Sequence, residues 1–317
     1  MMTIQQQIIK KIEEYNTIII HRHVIPDGDA YGSSFGLGEL IRTTYPEKEV
    51  YVVGEELDYL KYVGTTDKIG DSVYEGSLVI ITDTSNAARI SDERWKLGAF
   101  KIKIDHHPFS DEYADIEWID TSYTSTCEMI TSLLIENNLK ISDNGARCLF
   151  NGIVSDTGRF LFRGVSEQTL RYAAQLLKYD FDMIDLYSNM YTQSKSMVRF
   201  KGYALLNFEE TDNGVGYLKL TDEKLRELNI DENSASSQVN TLSNIEGIKI
   251  WAFFVEDKEN NDIRVNLRSS GAAVNEVAKK YGGGGHVQAA GARVNSWDMI
   301  DQMIQDLDEL AKNIKEW

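Results

Sequence analysis

Hydrophobic positions in the first half of the chain fall into two alternating textures. Residues 3–15 carry Ile4, Ile8, Ile9 and Ile12 at helical spacing. Residues 17–20 then form a short apolar run of the kind buried on both faces of a parallel sheet. Similar runs recur at 50–53, 78–82, 101–104 and 116–119. Between and beyond them lie stretches of helical character at 33–43, 91–95, 125–137 and 143–154. Strands alternating with helices predict an α/β domain built on a doubly wound, mainly parallel sheet.

After a further helical region at 166–200 the texture changes. The polar stretch Thr192-Gln193-Ser194-Lys195-Ser196 marks an interdomain connection. The division expected is a first domain over 1–190, a linker over 191–200 and a smaller mixed α+β domain over 201–317. In that second domain, 215–220, 248–255 and 263–268 read as strands, and 222–228, 270–279 and 296–317 as helices. Repeats, low-complexity segments and coiled-coil heptads are absent from the sequence.

Composition narrows the class. Of 317 residues, 42% are hydrophobic and 10% aromatic, enough for globular cores and against disorder. The two cysteines, Cys127 and Cys148, fall in helical stretches and read as reduced core residues of a cytoplasmic protein. The start, Met1 to Gln7, has neither the basic region nor the apolar core of a signal peptide. No apolar run approaches the roughly 20 residues that span a bilayer. A net charge of -17 argues against wholesale binding of long duplex nucleic acid, while leaving room for a local phosphate site.

Polar residues at the ends of apolar runs carry the chemistry. Asp105-His106-His107 ends the run at 101–104, and these groups are poor core material because each needs polar partners. Imidazole and carboxylate together suit Mn, Fe, Co or Zn better than a thiol-loving ion. On an extended backbone His106 and His107 would point to opposite faces, leaving one for metal and the other for substrate. Asp27 and Asp29 follow the first strand, Asp83 the run at 78–82, and Asp156 the apolar run 149–154. Pooled, they predict one site at the edge of the sheet, where open α/β sheets bind ligands. Asp27 and Asp29 equally suit a turn that caps the next helix, and Asp156 a turn before Gly158. His21 and His23 would share a strand face, so spacing leaves both open.

In the second domain, Gly282-Gly283-Gly284-Gly285-His286-Val287-Gln288-Ala289-Ala290-Gly291 leaves backbone N–H groups uncovered for an anion. It lacks the Gly-Lys-Ser/Thr of a P-loop. By composition it fits as well a flexible loop before a buried Ala-Ala-Gly helical turn. Arg268, at a strand end, offers a planar fork matched to phosphate.

Taken in order, these motifs resemble the DHH phosphoesterase superfamily, in its branch with a C-terminal DHHA1 domain. The resemblance covers nearly the whole chain. It rests on His23-x-x-Pro26-Asp27-x-Asp29, on Asp83 in Thr82-Asp83-Thr84, on Asp105-His106-His107, on Asp156 in Ser155-Asp156-Thr157-Gly158, and on 282–291. No metal position departs from the pattern. The resemblance implies two divalent ions, usually Mn²⁺. His23, Asp27 and Asp83 would hold one, and Asp29, Asp83, His106 and Asp156 the other, with Asp83 bridging. Asp105 would orient a neighbouring ligand and His107 would face the scissile phosphate. Arg268, Ser269, Gly283, Gly284, Gly285 and His286 would grip the substrate's terminal phosphate, so that a cleft between the domains measures a short ligand.

Within the superfamily the chain lacks the transmembrane segments of the cyclic-dinucleotide phosphodiesterases and has no room for the added fold of the large exonucleases. The type it resembles degrades short single-stranded oligoribonucleotides and converts 3′-phosphoadenosine 5′-phosphate to AMP. A homodimer is compatible with the resemblance alone. Competing readings are a phosphodiesterase for linear signalling dinucleotides, a pyrophosphatase or exopolyphosphatase on the same metal site, and a non-catalytic nucleotide sensor.

Overall fold

The five apolar runs of the first half become five parallel strands. The computed structural model of the chain describes residues 2–162 and 164–314. Two compact units divide it at Tyr191 and Thr192. The first contains α1 (Ile4–Glu14), β1 (Thr17–His21), α2 (Gly28–Thr44), β2 (Glu49–Val52), β3 (Leu78–Thr82), β4 (Phe100–Asp105), β5 (Ile116–Ile119), α3 (Thr126–Glu136), α4 (Asp143–Asp156), α5 (Glu167–Leu176) and α6 (Met183–Tyr191).

The strand order is β2-β1-β3-β4-β5, every pair parallel. The chain leaves β1 towards β2 and returns to β3 on the other side, so a topological switch point opens between β1 and β3. Alternation along each strand sorts the core. Ile18, Ile20, Leu78, Ile80, Ile102 and Ile104 pack under α1, α2, α3 and α4, whereas Ile19, Val79 and Ile81 face the other way, against Tyr74, Ile90 and Trp95. That second face is covered by short 3₁₀ turns, among them Asp71–Tyr74 and Glu93–Leu97. The helix expected at 91–95 is therefore a single tight turn.

α2 begins five residues before the helical stretch seen in the sequence, because Asp27 caps it: its Oδ1 accepts the N–H groups of Asp29 and Ala30 at 3.0 Å each. The early turns are rich in glycine, a poor helix former, and that hides them from periodicity. Those glycines matter for packing. A Cβ at Gly28 or Gly32 would stand 2.5 Å from Ser155 Oγ or 2.6 Å from the Cys148 carbonyl, so α4 can lie against α2 only because the side chains are missing.

The second unit contains α7 (Lys195–Asn207), β6 (Glu209–Glu210), β7 (Val215–Leu220), α8 (Asp222–Glu227), α9 (Glu232–Ser237), β8 (Ile250–Asp257), β9 (Asp262–Ser269), α10 (Val274–Lys280), β10 (Gly284–His286), β11 (Ala289–Val294) and α11 (Trp297–Ala311). Its sheet runs β10-β11-β9-β8-β7-β6, with only β7 and β8 parallel. Part of the stretch expected as linker lies in α7, whose Phe200 and Ala204 are buried among Leu218, Leu220 and Phe253. Neither a flexible loop nor a helical turn forms at 284–291; the segment is a β-hairpin that places Ala289 beside Arg268 on β9. Residues 315–317, at the end of the helix expected to run to 317, lie outside the described residues.

Candidate metal centre

Three strand ends and two helix ends bring the candidate residues of the first unit together. β1 delivers His23 just past its end, β3 delivers Asp83 and β4 delivers Asp105, His106 and His107; α2 supplies Asp27 and Asp29, and α4 ends on Asp156. Asp156 is thus the last residue of a helix, not part of the turn beyond it. Ligand atoms fall into three groups, each within 4.8 Å: His23, Asp27 and Asp83; Asp83, His106 and His107; Asp29, His106 and Asp156.

Asp83 joins the first two groups. It is 2% exposed and left-handed at φ 53°. Its N–H is held by the Ile104 carbonyl at 2.9 Å, and its Oδ1 accepts from Thr126 Oγ1 at 3.1 Å. His23 Nε2 stands 3.6 Å from Asp83 Oδ2 and 4.0 Å from Asp27 Oδ1. His23 Nδ1 is 2.8 Å from the Val24 carbonyl, which fixes the tautomer and leaves Nε2 for a ligand. Of the two histidines that spacing left open, His23 enters the centre. His21 is buried beside Tyr74, its Nε2 3.2 Å from the phenol oxygen.

The alternation expected for His106 and His107 stops with β4 at Asp105. Their rings lie 4.4 Å apart, and each has a nitrogen 3.6 Å from Asp83 Oδ1. His107 Nδ1 is bound to Asp105 Oδ1 at 2.9 Å. Asp105 is fully buried, and its other oxygen lies 3.7 Å from the ammonium of Lys103, itself fully buried. Lys103 Nζ also donates to the Ser85 carbonyl at 2.8 Å. Lys103 was not legible as part of the site, since one lysine in an apolar run reads as an edge residue.

Burial and charge shape the protonation of the cluster. Burial pushes the Asp29 carboxyl well up, and Asp83 and Asp156 push it further. Burial likewise raises Asp156 to about 6, against a downward pull from His106. Burial alone would lower His106, but Asp156, Asp29 and Asp83 raise it to about 10. For Asp83 burial is outweighed by His23, His106 and His107, which hold its carboxyl below the usual range.

This donor set fits divalent cations. Carboxylates too close to ionise together comfortably need positive charge among them. His106 Nε2 is buried and faces Asp156 Oδ2 at 3.3 Å and Asp83 Oδ1 at 3.6 Å, a nitrogen turned in among carboxylate oxygens as a metal ligand would be. Oxygen and imidazole nitrogen dominate, and the nearby Cys127 thiol is raised far above its ordinary pKa by burial.

In the second unit, Arg268 is half-buried and donates from Nη1 to the Leu267 carbonyl at 2.9 Å. Ser269 is buried, and its hydroxyl donates to the Ala272 carbonyl at 2.6 Å. Gly285 is left-handed at φ 135°, and a Cβ at Gly283 would run into the Gly291 and Ala292 backbone. His286 is exposed at the end of β10, paired with Ala289.

A parallel α/β sheet with a carboxylate–imidazole centre at its switch point, joined to a mixed-sheet domain, defines a known class. The chain belongs to the DHH family with a C-terminal DHHA1 domain: residues 17–153 match the DHH family N-terminal domain and 213–313 the DHHA1 domain. It is 43% identical to the bifunctional oligoribonuclease and PAP phosphatase NrnA of Bacillus subtilis, over 96% of this chain and 98% of that protein. It is 41% identical to the probable bifunctional oligoribonuclease and PAP phosphatase NrnA of Streptococcus mutans, over 98% and 100%. Among solved structures, an exopolyphosphatase-related protein from Bacteroides fragilis superposes with a TM-score of 0.85 at 27% identity, covering 98% of each chain. Among the described residues no helix is long and apolar enough to cross a membrane.

Proposed function

We propose that the protein hydrolyses phosphoester bonds, cutting short single-stranded oligoribonucleotides to mononucleotides and 3′-phosphoadenosine 5′-phosphate to AMP, with two divalent ions, Mn²⁺ first among them. The observation that carries this reading is the convergence of His23, Asp27, Asp29, Asp83, His106 and Asp156 from separate segments into adjoining groups linked through Asp83 and His106. The likeness to relatives named for those two activities supports the substrate class.

His23, Asp27 and Asp83 would hold one ion, and Asp29, Asp83, His106 and Asp156 the other. Bound there, the ions supply Lewis-acid polarisation of the phosphoryl oxygens and lower the pKa of the attacking water. The chain's own residues do the rest. With Nδ1 engaged by Asp105, His107 has Nε2 left to donate to a phosphoryl or leaving oxygen. Its pKa is raised, first by the Asp105 hydrogen bond, against a downward pull from burial. In this reading residues 1–190 form the catalytic domain and 201–317 the substrate-binding domain. There Arg268 and the backbone N–H groups around Gly283, Gly284 and Gly285 receive a terminal phosphate.

Product analysis tests the proposal. With Mn²⁺, 5′-phosphorylated diadenylate and 3′-phosphoadenosine 5′-phosphate should both yield AMP, and Asp83→Ala should abolish both. Phosphate released from pyrophosphate alone would overturn the substrate assignment in favour of a pyrophosphatase.

A further inference from the structure

Three of the segments that carry side chains of the metal centre, those of His23 and Asp27, of His106 and His107, and of Asp156, also expose large apolar residues. Ile25, between His23 and Asp27, is 74% exposed; Phe109, two residues past His107, is 66% exposed; Leu161 and Phe162, beyond Asp156, are 75% and 60% exposed. Large apolar groups gathered beside a charged centre mark a contact surface.

The segment after Asp156 is built to present them. Gly158, Arg159 and Phe160 are left-handed in succession, with φ of 53°, 64° and 64°. Side chains adopt that conformation only at an energetic cost, which concentrates at functional positions. Thr157 holds the turn. Its Oγ1 accepts the Phe160 N–H at 3.0 Å, and its carbonyl accepts those of Leu161 and Phe162, also at 3.0 Å. The Phe162 ring rests against Gly158, where a Cβ would stand 2.5 Å from Cε1 and Cζ. Gly158 is two residues from Asp156, about 7 Å of extended chain at most. The turn also sets the Arg159 guanidinium 5.3 Å over the Tyr191 ring, so a cation flanks the apolar surface.

A nucleotide matches this pairing of chemistries, with an anionic phosphate for the centre and a flat apolar base for the ring. We propose that Phe162, presented by the left-handed turn at 158–160, is the platform on which a nucleobase stacks when its phosphate lies at the metal centre. This deepens the phosphoesterase reading and rests on it. Because every base has a π face, such a platform grips bases with little regard to sequence.

The test uses the full-length protein with Mn²⁺, titrated calorimetrically with AMP and with ribose 5-phosphate, which lacks the base. AMP should bind more tightly, on the order of tenfold. Phe162→Ala should erase that preference and leave ribose 5-phosphate affinity unchanged. Phe162→Trp should restore it, with fluorescence quenched by AMP beyond any change in the wild type. Equal binding of the two ligands by the wild type overturns the platform. So does a preference that survives Phe162→Ala in a folded variant, including one that alters only self-association in sedimentation and so marks an interface between copies. Failure of the wild type to release AMP from either nucleotide substrate would sink the phosphoesterase reading instead, while the ratio of the two affinities still decides the platform.

Discussion

Asp29 Oδ2 accepts the backbone N–H of Thr126 at 2.7 Å, across 97 residues of sequence, while its Oδ1 accepts that of Cys127 at 3.0 Å. The carboxylate is therefore clamped by the N-terminus of α3, whose dipole favours negative charge. Yet Asp83 and Asp156 crowd it, and burial strips its solvent. A cation among these groups would reconcile the clamp with the repulsion.

Metal loading should accordingly raise thermal stability. With Mn²⁺ at a hundredfold its Kd, the gain is about 2.7 kcal/mol. Differential scanning fluorimetry should show a higher Tm with Mn²⁺ than with EDTA, and Asp29→Ala should lose most of the difference. An unchanged wild-type Tm would count against the centre.

Lys103 should act through Asp105. The Lys103→Met variant keeps the length of the buried side chain but removes the charge 3.7 Å from Asp105 Oδ2. Groups that orient a metal-site residue from behind contribute on the order of ten- to a hundredfold. A fall in kcat of that size with little change in KM is expected. Combining it with Asp105→Asn should add little, because both act on His107. Multiplying effects in the double variant would show that Lys103 works independently.

Arg268 should matter for the phosphate end of the substrate. A hydrogen bond to a charged group contributes about 1.5–3 kcal/mol, so Arg268→Ala should raise KM for 5′-phosphorylated dinucleotides roughly ten- to a hundredfold. Unphosphorylated dinucleotides should respond far less. An unchanged KM for the phosphorylated substrate would place the anchor elsewhere.

His21 should make the fold sensitive to acid. Burial lowers its pKa to about 3; Arg94 and Arg22 add to this and Asp92 opposes it. The unfolded chain takes up this proton near the ordinary value of about 6.5 and the folded one does not. Stability contributed by the neutral ring is therefore complete above that pH and falls as pH drops towards 3. At pH 5 the loss is about 2 kcal/mol. Urea unfolding at pH 7.5 and 5.0 should show a pH dependence smaller by that amount in His21→Asn. Equal dependence in both proteins would mean the ring is protonated in the fold.

The sequence by itself determined the α/β class and the strands of the parallel sheet. Buried parallel strands are short apolar runs, and the signal for them is local. It also determined which polar residues need partners: Asp83, Asp105, His106 and His107 stand at the ends of such runs, Asp27 and Asp29 follow the first of them, and Asp156 closes an apolar helical stretch. Their types and order carried the family resemblance.

Only the tertiary structure decided how they meet. Periodicity cannot choose between His21 and His23; the end of β1 and the Val24 carbonyl do so by turning the His23 Nε2 towards Asp83. It cannot see that Asp29 is held by α3, that Lys103 lies beneath Asp105, or that glycines on α2 admit α4 and so bring Asp156 to the centre. The hairpin at 284–294 was hidden too, because its glycine-rich strand has little propensity of its own and forms by pairing with β11, which in turn pairs with β9. Element type follows from nearest neighbours along the chain, but a site depends on backbones that approach across a hundred residues, and that approach is a property of packing.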